Sequence, residues 1–132
     1  MKIFIDTNIF FDLILKRENF KEALLIFNAI EKKLFDAIIL DVTILNIDYV
    51  AKKQINNVNE FLTTVNQLIK VEGATNKMIE KALEINNPDL EDNLQYICAK
   101  HFKSEVIITN DKKFHSPNIE KATSKEFVNK YL

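Results

Sequence analysis

Three short runs of apolar, mostly β-branched residues most strongly constrain how this chain can fold. They are KIFI at residues 2–5, AIIL at 37–40 and VIIT at 106–109. Each has the length of a strand, and none alternates with polar residues, which is typical of strands that are buried on both faces of a sheet. The long segments between them leave room for the crossover connections that parallel strands need. The sequence therefore predicts an α/β fold with a mainly parallel sheet.

Helical periodicity occupies most of the chain between these strands. Within residues 20–33, apolar side chains recur at helical spacing at Phe20, Ala23, Leu24, Phe27 and Ile30. The same pattern predicts helices at residues 8–15, 43–54, 57–68 and 75–85. A further helix begins after Pro88, with an apolar face formed by Leu90, Leu94, Ile97, Cys98 and Phe102. Shorter strand candidates lie at residues 69–71 and 119–122.

Composition excludes several classes of protein. The chain has 132 residues, of which 47% are hydrophobic and 28% charged, and we expect one domain over residues 1–132. The net charge of −1 argues against a large basic surface for nucleic acid, although a local basic rim is compatible with it. The single glycine, Gly73, excludes glycine-rich phosphate loops. The lone cysteine and the lack of a targeting segment or membrane span predict a reducing, cytoplasmic location.

An acidic residue follows each of the three strong strand candidates. Asp6 follows KIFI, Asp41 follows AIIL, and Asp111 follows VIIT. In a parallel sheet the carboxyl ends of the strands meet at one edge, and this is where functional sites form. Three more acids open the helix that precedes VIIT, namely Asp89, Glu91 and Asp92. The sequence therefore predicts a group of carboxylates at one edge of the sheet.

Carboxylates that are gathered at one edge repel one another and need a compensating charge. No lysine or arginine lies beside Asp6 in the sequence, and the two histidines lack a zinc-type spacing. Mg²⁺ or Mn²⁺, which prefer oxygen ligands, suit such a group, and at a sheet edge they usually act on phosphate. Helix capping by Asp41 and Asp89, and a turn at Asp111, are the structural alternatives.

Four segments together resemble the PIN-domain proteins of the VapC toxin group. They are FIDTNIFFDLILKRENF, ILDVTILNIDYVAKK, DLEDNLQYICAKHFKSEVIITNDKKF and IEKATSKEFV, and they cover essentially the whole chain. The resemblance implies a three-layer α/β/α fold with a central, mainly parallel sheet of four to five strands in the order 3-2-1-4-5. It also implies a Mg²⁺- or Mn²⁺-dependent ribonuclease that acts on RNA, a small antitoxin partner and a homodimer.

The resemblance also assigns roles to individual residues. The catalytic and metal-binding acids correspond to Asp6, Asp92 and Asp111. Auxiliary polar positions correspond to Asn8, Asn46, Asp89 and Thr109. Local lysines that could contact RNA phosphates are Lys52, Lys53, Lys112 and Lys113.

Asn46 is the position at which this chain departs from the family pattern. The family usually has a glutamate there, and an amide brings no charge to a metal site. An alternative function is therefore a catalytically weak or inactive PIN-fold module that binds RNA or a protein. A receiver-like phosphoacceptor domain is disfavoured, because FIDTN offers one acid where such domains need a pair.

Overall fold

Strands and helices alternate along the chain in the computed structural model, which describes residues 1–132. The strands are β1 (Lys2–Ile5), β2 (Asp36–Leu40), β3 (Lys70–Glu72), β4 (Val106–Ile108) and β5 (Glu120–Ala122). The helices are α1 (Thr7–Ile14), α2 (Phe20–Glu31), α3 (Asp41–Ala51), α4 (Val58–Leu68), α5 (Asn76–Leu83), α6 (Leu90–His101) and α7 (Ser124–Tyr131). None of these helices combines the length and the apolar character that crossing a lipid bilayer requires.

The five strands form one sheet in the order β3-β2-β1-β4-β5, and every neighbouring pair is parallel. Phe4 in the central strand β1 lies opposite Ile38 of β2 and Ile107 of β4. The order confirms the one expected from the family resemblance. Because all five strands run the same way, the residues that follow β1 and β4 emerge side by side at the carboxyl edge.

The sheet is covered on both faces, which explains the unbroken apolar character of its strands. Ile3 and Ile5 of β1 belong to a core cluster of 20 buried residues, to which α1, α2, α3, α4 and α7 contribute. Phe4, between them, points to the opposite face and belongs to a cluster of 8 buried residues that includes Tyr96 of α6. Helix α5 packs on α6 at this second face. The result is the expected three-layer α/β/α arrangement.

The structure differs from the sequence-based expectation in helix α6. Leu90, expected on its apolar face, is 47% exposed, whereas Asn93 and Gln95 are buried. The first turns of α6 face other polar groups rather than the apolar core. Asn93 bonds to Asn87 at 2.9 Å, and the Gln95 amide donates to Asp6 at 3.0 Å. Polar side chains are normally buried only where they form hydrogen bonds, as these two do. Hydrophobic periodicity in the sequence does not detect such positions.

Helix α7 was not expected from hydrophobic periodicity. Its start is a capping box, in which the Thr123 hydroxyl accepts from the Glu126 amide at 3.1 Å and the Glu126 carboxylate accepts from the Thr123 amide at 2.9 Å. Phe127 anchors the helix in the larger core. The sequence TSKE contains the signal for this helix start, with threonine three residues before glutamate.

Candidate active site

A cleft of about 310 Å³ lies at the carboxyl edge of the sheet, where β1 and β4 end beside each other. The Asp6 backbone amide donates to the Ile108 carbonyl at 3.0 Å, which keeps the two strand ends together. Five of the ten residues that line the cleft are acids. The lining residues are Asp6, Thr7, Asn8, Phe11, Asn46, Val50, Asp89, Glu91, Asp92 and Asp111.

Asp6 is held in a single orientation at the inner end of this cleft. It precedes α1 but does not cap it, and its side chain is 3% exposed. Gln95 Nε2 donates to Oδ1 at 3.0 Å, and Thr109 Oγ1 donates to Oδ2 at 2.8 Å. Burial raises the pKa of Asp6, while these two hydrogen bonds act in the opposite direction. Because both oxygens of the Asp6 carboxylate accept a hydrogen bond, its position in the cleft is preorganised.

Three further acids converge beside Asp6. One carboxylate oxygen each from Asp89, Asp92 and Asp111 can be chosen so that all three lie within 4.8 Å of one another. Asp89 also caps α6, because its Oδ1 accepts from the Asp92 amide at 3.1 Å. Asp111 also forms a turn, because its Oδ1 accepts from the Lys113 amide at 2.9 Å. The capping alternative for Asp89 and the turn alternative for Asp111 are therefore correct as local descriptions, and both acids still belong to the cluster.

The mutual repulsion of these carboxylates favours the binding of a cation between them. The pKa of Asp92 is raised to about 8, first by burial and then by the negative charges of Asp6, Asp89 and Asp111. The side chains that converge are oxygen donors, and the cleft is lined by neither histidine nor cysteine. This donor set fits Mg²⁺ or Mn²⁺ better than zinc.

From the sequence, Glu91 was expected only as a member of the predicted carboxylate group, and Gln95 was not singled out. Glu91 lines the cleft, and Gln95 contacts Asp6 within it. Asn46 Nδ2 donates to Glu91 Oε1 at 2.8 Å, across 45 residues of sequence. Partial desolvation raises the pKa of Glu91, and the charges of Asp6 and Asp89 raise it further. The available signal was spacing, since Gln95 follows Glu91 by four residues and therefore lies on the same side of α6.

Two acids outside the cleft have other roles. Asp41 does not line the cleft, and the expectation that it caps α3 was wrong, because Asp41 is the exposed first residue of the helix and Leu40 occupies the cap position. Asp12 is buried in α1, and it accepts from Asn110 Nδ2 at 3.1 Å. Asn110 Oδ1 in turn accepts from the Ser124 amide at 2.9 Å. This chain of bonds joins α1 and α7 to the loop that carries Asp111, and so it steadies the position of that acid.

The four lysines proposed to contact phosphates are exposed, and none lines the cleft. Lys52 pairs with Asp48 at 3.6 Å, and Lys53 Nζ lies 4.0 Å from the centre of the Tyr49 ring. Two of the lysines follow Asp111 directly in the chain, namely Lys112 and Lys113. Phosphate binding by these residues stays a prediction.

Volume alone does not identify the functional site. A groove of about 530 Å³ between α1, α2 and α4 is larger than the acidic cleft. Eight of its 13 lining residues are hydrophobic, and Glu31 is the one acid among them. The smaller cleft has the greater concentration of reactive side chains, and we therefore take it as the candidate active site.

Comparison with known proteins places this geometry in a family. A family model described as a PIN domain matches residues 2–113. The chain is 30% identical to Ribonuclease VapC1 from Aquifex aeolicus (strain VF5), over 98% of this chain and 95% of that protein.

Solved structures share the fold. A toxin–antitoxin complex from Klebsiella pneumoniae contains a chain with a TM-score of 0.70 and 21% identity, over 92% of this chain and 97% of that chain. VapBC2 from Rickettsia felis, bound to a DNA fragment from its promoter, gives a TM-score of 0.66 and 16% identity, over 93% of this chain and 98% of that chain. Since the family model covers most of the chain and the relative covers nearly all of it, this protein belongs to the PIN-domain family and is of the VapC type.

Proposed function

We propose that this protein is a ribonuclease that hydrolyses RNA phosphodiester bonds and acts as the toxin of a toxin–antitoxin pair. The observation that carries the proposal is the acidic cleft, in which the doubly hydrogen-bonded Asp6 lies beside the cluster of Asp89, Asp92 and Asp111. The relative that is 30% identical along nearly the whole chain is itself a ribonuclease by name.

The residues suited to hold Mg²⁺ or Mn²⁺ are Asp6, Asp92 and Asp111, with Asp89 beside them. When bound, such an ion supplies an acidified water and stabilises charge on the leaving oxygen. RNA phosphate is an anion, and five acids in one cleft repel it strongly. Productive RNA binding therefore depends on neutralisation of these carboxylates, while Gln95 and Thr109 keep Asp6 from turning away.

Auxiliary residues complete the proposed site. Asn8 lines the cleft and is exposed, so its amide is available to a phosphate or a water. Thr109 connects two acids, because its hydroxyl donates to Asp6 and accepts from the Asp111 backbone amide at 3.1 Å. Lys112 and Lys113 extend from the same loop and would contact RNA phosphates beyond the cleft.

A toxin of this kind acts on RNA in the cytoplasm and must be held inactive by a partner. We therefore include a small antitoxin protein in the proposal. The homodimer is included on the family resemblance alone. The Klebsiella pneumoniae structure named above as a toxin–antitoxin complex supports the partner class. A short open reading frame for a small protein beside this gene would support the pairing.

The test is cleavage of a structured RNA by the purified chain, with a chelator or with added Mn²⁺ or Mg²⁺. We expect cleavage only with the metal, and a loss of about 100-fold or more in Asp6→Asn, because even supporting residues of metal sites cost 10–100-fold. Asp48→Asn is the matched control, since Asp48 is a partly exposed acid on α3 that pairs with Lys52 outside the cleft.

Two outcomes would contradict the proposal. Undiminished cleavage by pure Asp6→Asn would place the activity at another site or in a contaminant. Metal-dependent RNA binding without cleavage by the wild-type chain would instead support the inactive binding module, the alternative that the uncharged Asn46 favours.

A further inference from the structure

Asn46 and Glu91 form a contact that joins the two sides of the cleft. Asn46 belongs to α3, which packs on one face of the sheet, and Glu91 belongs to the first turn of α6 on the other face. They meet at the carboxyl edge, where Asn46 Nδ2 donates to Glu91 Oε1 at 2.8 Å. Both line the same cleft as the four aspartates. The Glu91 carboxylate therefore lies at the part of the cleft that the Asn46 side chain reaches from α3.

This contact is not explained by the packing of α6 alone. Glu91 is exposed, and the negative charges of Asp6 and Asp89 repel its carboxylate. A free glutamate on an exposed first turn would be expected to turn toward solvent, away from two like charges. The amide of Asn46, at 2.8 Å, instead holds the carboxylate at the cleft, with a weaker contribution from the Thr7 side chain. A neutral donor can do this, whereas a second carboxylate at position 46 could not.

We propose that Glu91, from α6, supplies the metal site with the carboxylate that position 46 lacks, beside the four aspartates of the cleft, and that Asn46 is a positioning residue that holds Glu91 there. This inference rests on the proposed metal-dependent function and extends it to two residues. The negative charge that position 46 lacks is then present in the cleft, relocated to another helix. Asn46 accordingly preserves the metal site rather than weakening it.

The test is calorimetric titration of the purified, metal-free chain with Mn²⁺. Glu91→Gln keeps an oxygen that can accept from Asn46 and removes only the charge. We expect its Mn²⁺ affinity to fall about tenfold, equal to about 1.4 kcal/mol. Glu60→Gln is the matched control, because Glu60 is also an exposed glutamate in the first turn of a helix, away from the cleft. Its affinity should equal that of the wild type.

Exchange of the two positions gives a second, stricter test. In Asn46→Glu/Glu91→Gln the charge returns on α3, and we expect affinity within about threefold of the wild type. Asn46→Ala should weaken binding in the wild-type background but cause no further loss when Glu91→Gln is already present. That dependence separates a positioning role from direct metal binding by Asn46.

The melting temperature in chelator provides a readout that needs no bound metal. Removing one of several repelling charges should make Glu91→Gln more stable than the wild type, and the exchanged double variant should return toward the wild-type value. Equal Mn²⁺ affinity in Glu91→Gln and wild type would overturn the role of Glu91 alone. Failure of the exchanged variant to recover affinity would also contradict it. A wild-type chain that binds no Mn²⁺ would remove the metal site itself, and with it the metal-dependent ribonuclease.

Discussion

At the scale of single residues, Asp92 shows how the cleft opposes the stability of the fold. Its carboxyl group lies near three other acids and is 8% exposed. In the unfolded chain an aspartate ionises near its ordinary value of 3.8, whereas in the folded, metal-free protein the pKa of Asp92 is raised to about 8. Between pH 3.8 and about pH 8, Asp92 therefore stays protonated in the folded state, whereas in the unfolded chain it has released its proton.

The consequence is a stability that falls as pH rises. Below the unfolded pKa both states are protonated and no penalty exists, and between that value and about 8 the penalty on the folded state grows. We expect the metal-free protein to lose about 2 kcal/mol of unfolding free energy between about pH 5 and pH 8, after allowance for solvent at the cleft. The raised pKa values of Asp6 and Glu91 act in the same direction.

Urea unfolding in chelator at several pH values measures this slope. Asp92→Asn should flatten most of it, while Asp48→Asn should leave it unchanged because Asp48 lies outside the cleft. A wild-type protein that becomes more stable with rising pH over this range would contradict the electrostatic account of the cleft. Saturating Mn²⁺ should also reduce the slope, because a bound cation favours the ionised carboxylates.

At the scale of elements, three helices end in an unusual way for a chain with one glycine. Lys16, Lys33 and Lys103 follow α1, α2 and α6 with φ values of 50°, 62° and 60°. This left-handed conformation is normally given to glycine, because it crowds a Cβ atom. After α2, the Leu34 amide donates to the Ala29 carbonyl at 3.0 Å and closes the helix end. The hydrogen bonds of the helix end are kept at the cost of local strain.

Lys33→Gly should relieve that strain. We expect the free energy of unfolding to rise by about 0.5–1 kcal/mol, since the avoided strain exceeds the entropy that glycine adds to the unfolded chain. Lys32→Gly is the control, because Lys32 has φ of −78° and gains nothing from glycine, so its stability should fall. Urea denaturation of both variants gives the comparison, and a loss of stability in Lys33→Gly as large as in Lys32→Gly would refute the strain.

At the scale of the whole molecule, the two core clusters share the same strands. In β1 and β4, Ile5 and Ile108 face the larger cluster, while Phe4 and Ile107 face the smaller one. If either helical layer separated from the sheet, it would expose one face of β1 and β4, and the other layer packs on the opposite face of the same strands. We therefore propose that residues 1–132 unfold as one cooperative unit.

Ile5→Val and Ile107→Val test this coupling, because both side chains are fully buried and lie on opposite faces. Each should lower the unfolding free energy by about 0.5–1.5 kcal/mol and shift one common transition. The transition should coincide by far-ultraviolet circular dichroism and by tyrosine fluorescence. Two separate transitions, each sensitive to only one of the substitutions, would show two independent units.

Much of this architecture could be predicted from local sequence. KIFI, AIIL and VIIT predicted three buried strands, and the acids that follow two of them, Asp6 and Asp111, lie in the cleft. Local patterns succeed here because a strand buried on both faces must be apolar throughout, and a parallel sheet collects its carboxyl ends at one edge. The quoted motifs also identified the family, which the match over residues 2–113 confirms.

The tertiary structure alone decided which amide side chains meet these acids. The Asn46–Glu91 bond spans 45 residues and the Gln95–Asp6 bond spans 89, so no local pattern contains either pair. Both depend on how α3 and α6, on opposite faces of the sheet, approach its edge. The burial of Gln95 and Asn93 in place of Leu90 has the same origin. Hydrophobic periodicity describes contact with an apolar core, whereas the start of α6 is buried against polar partners that only the folded chain brings together.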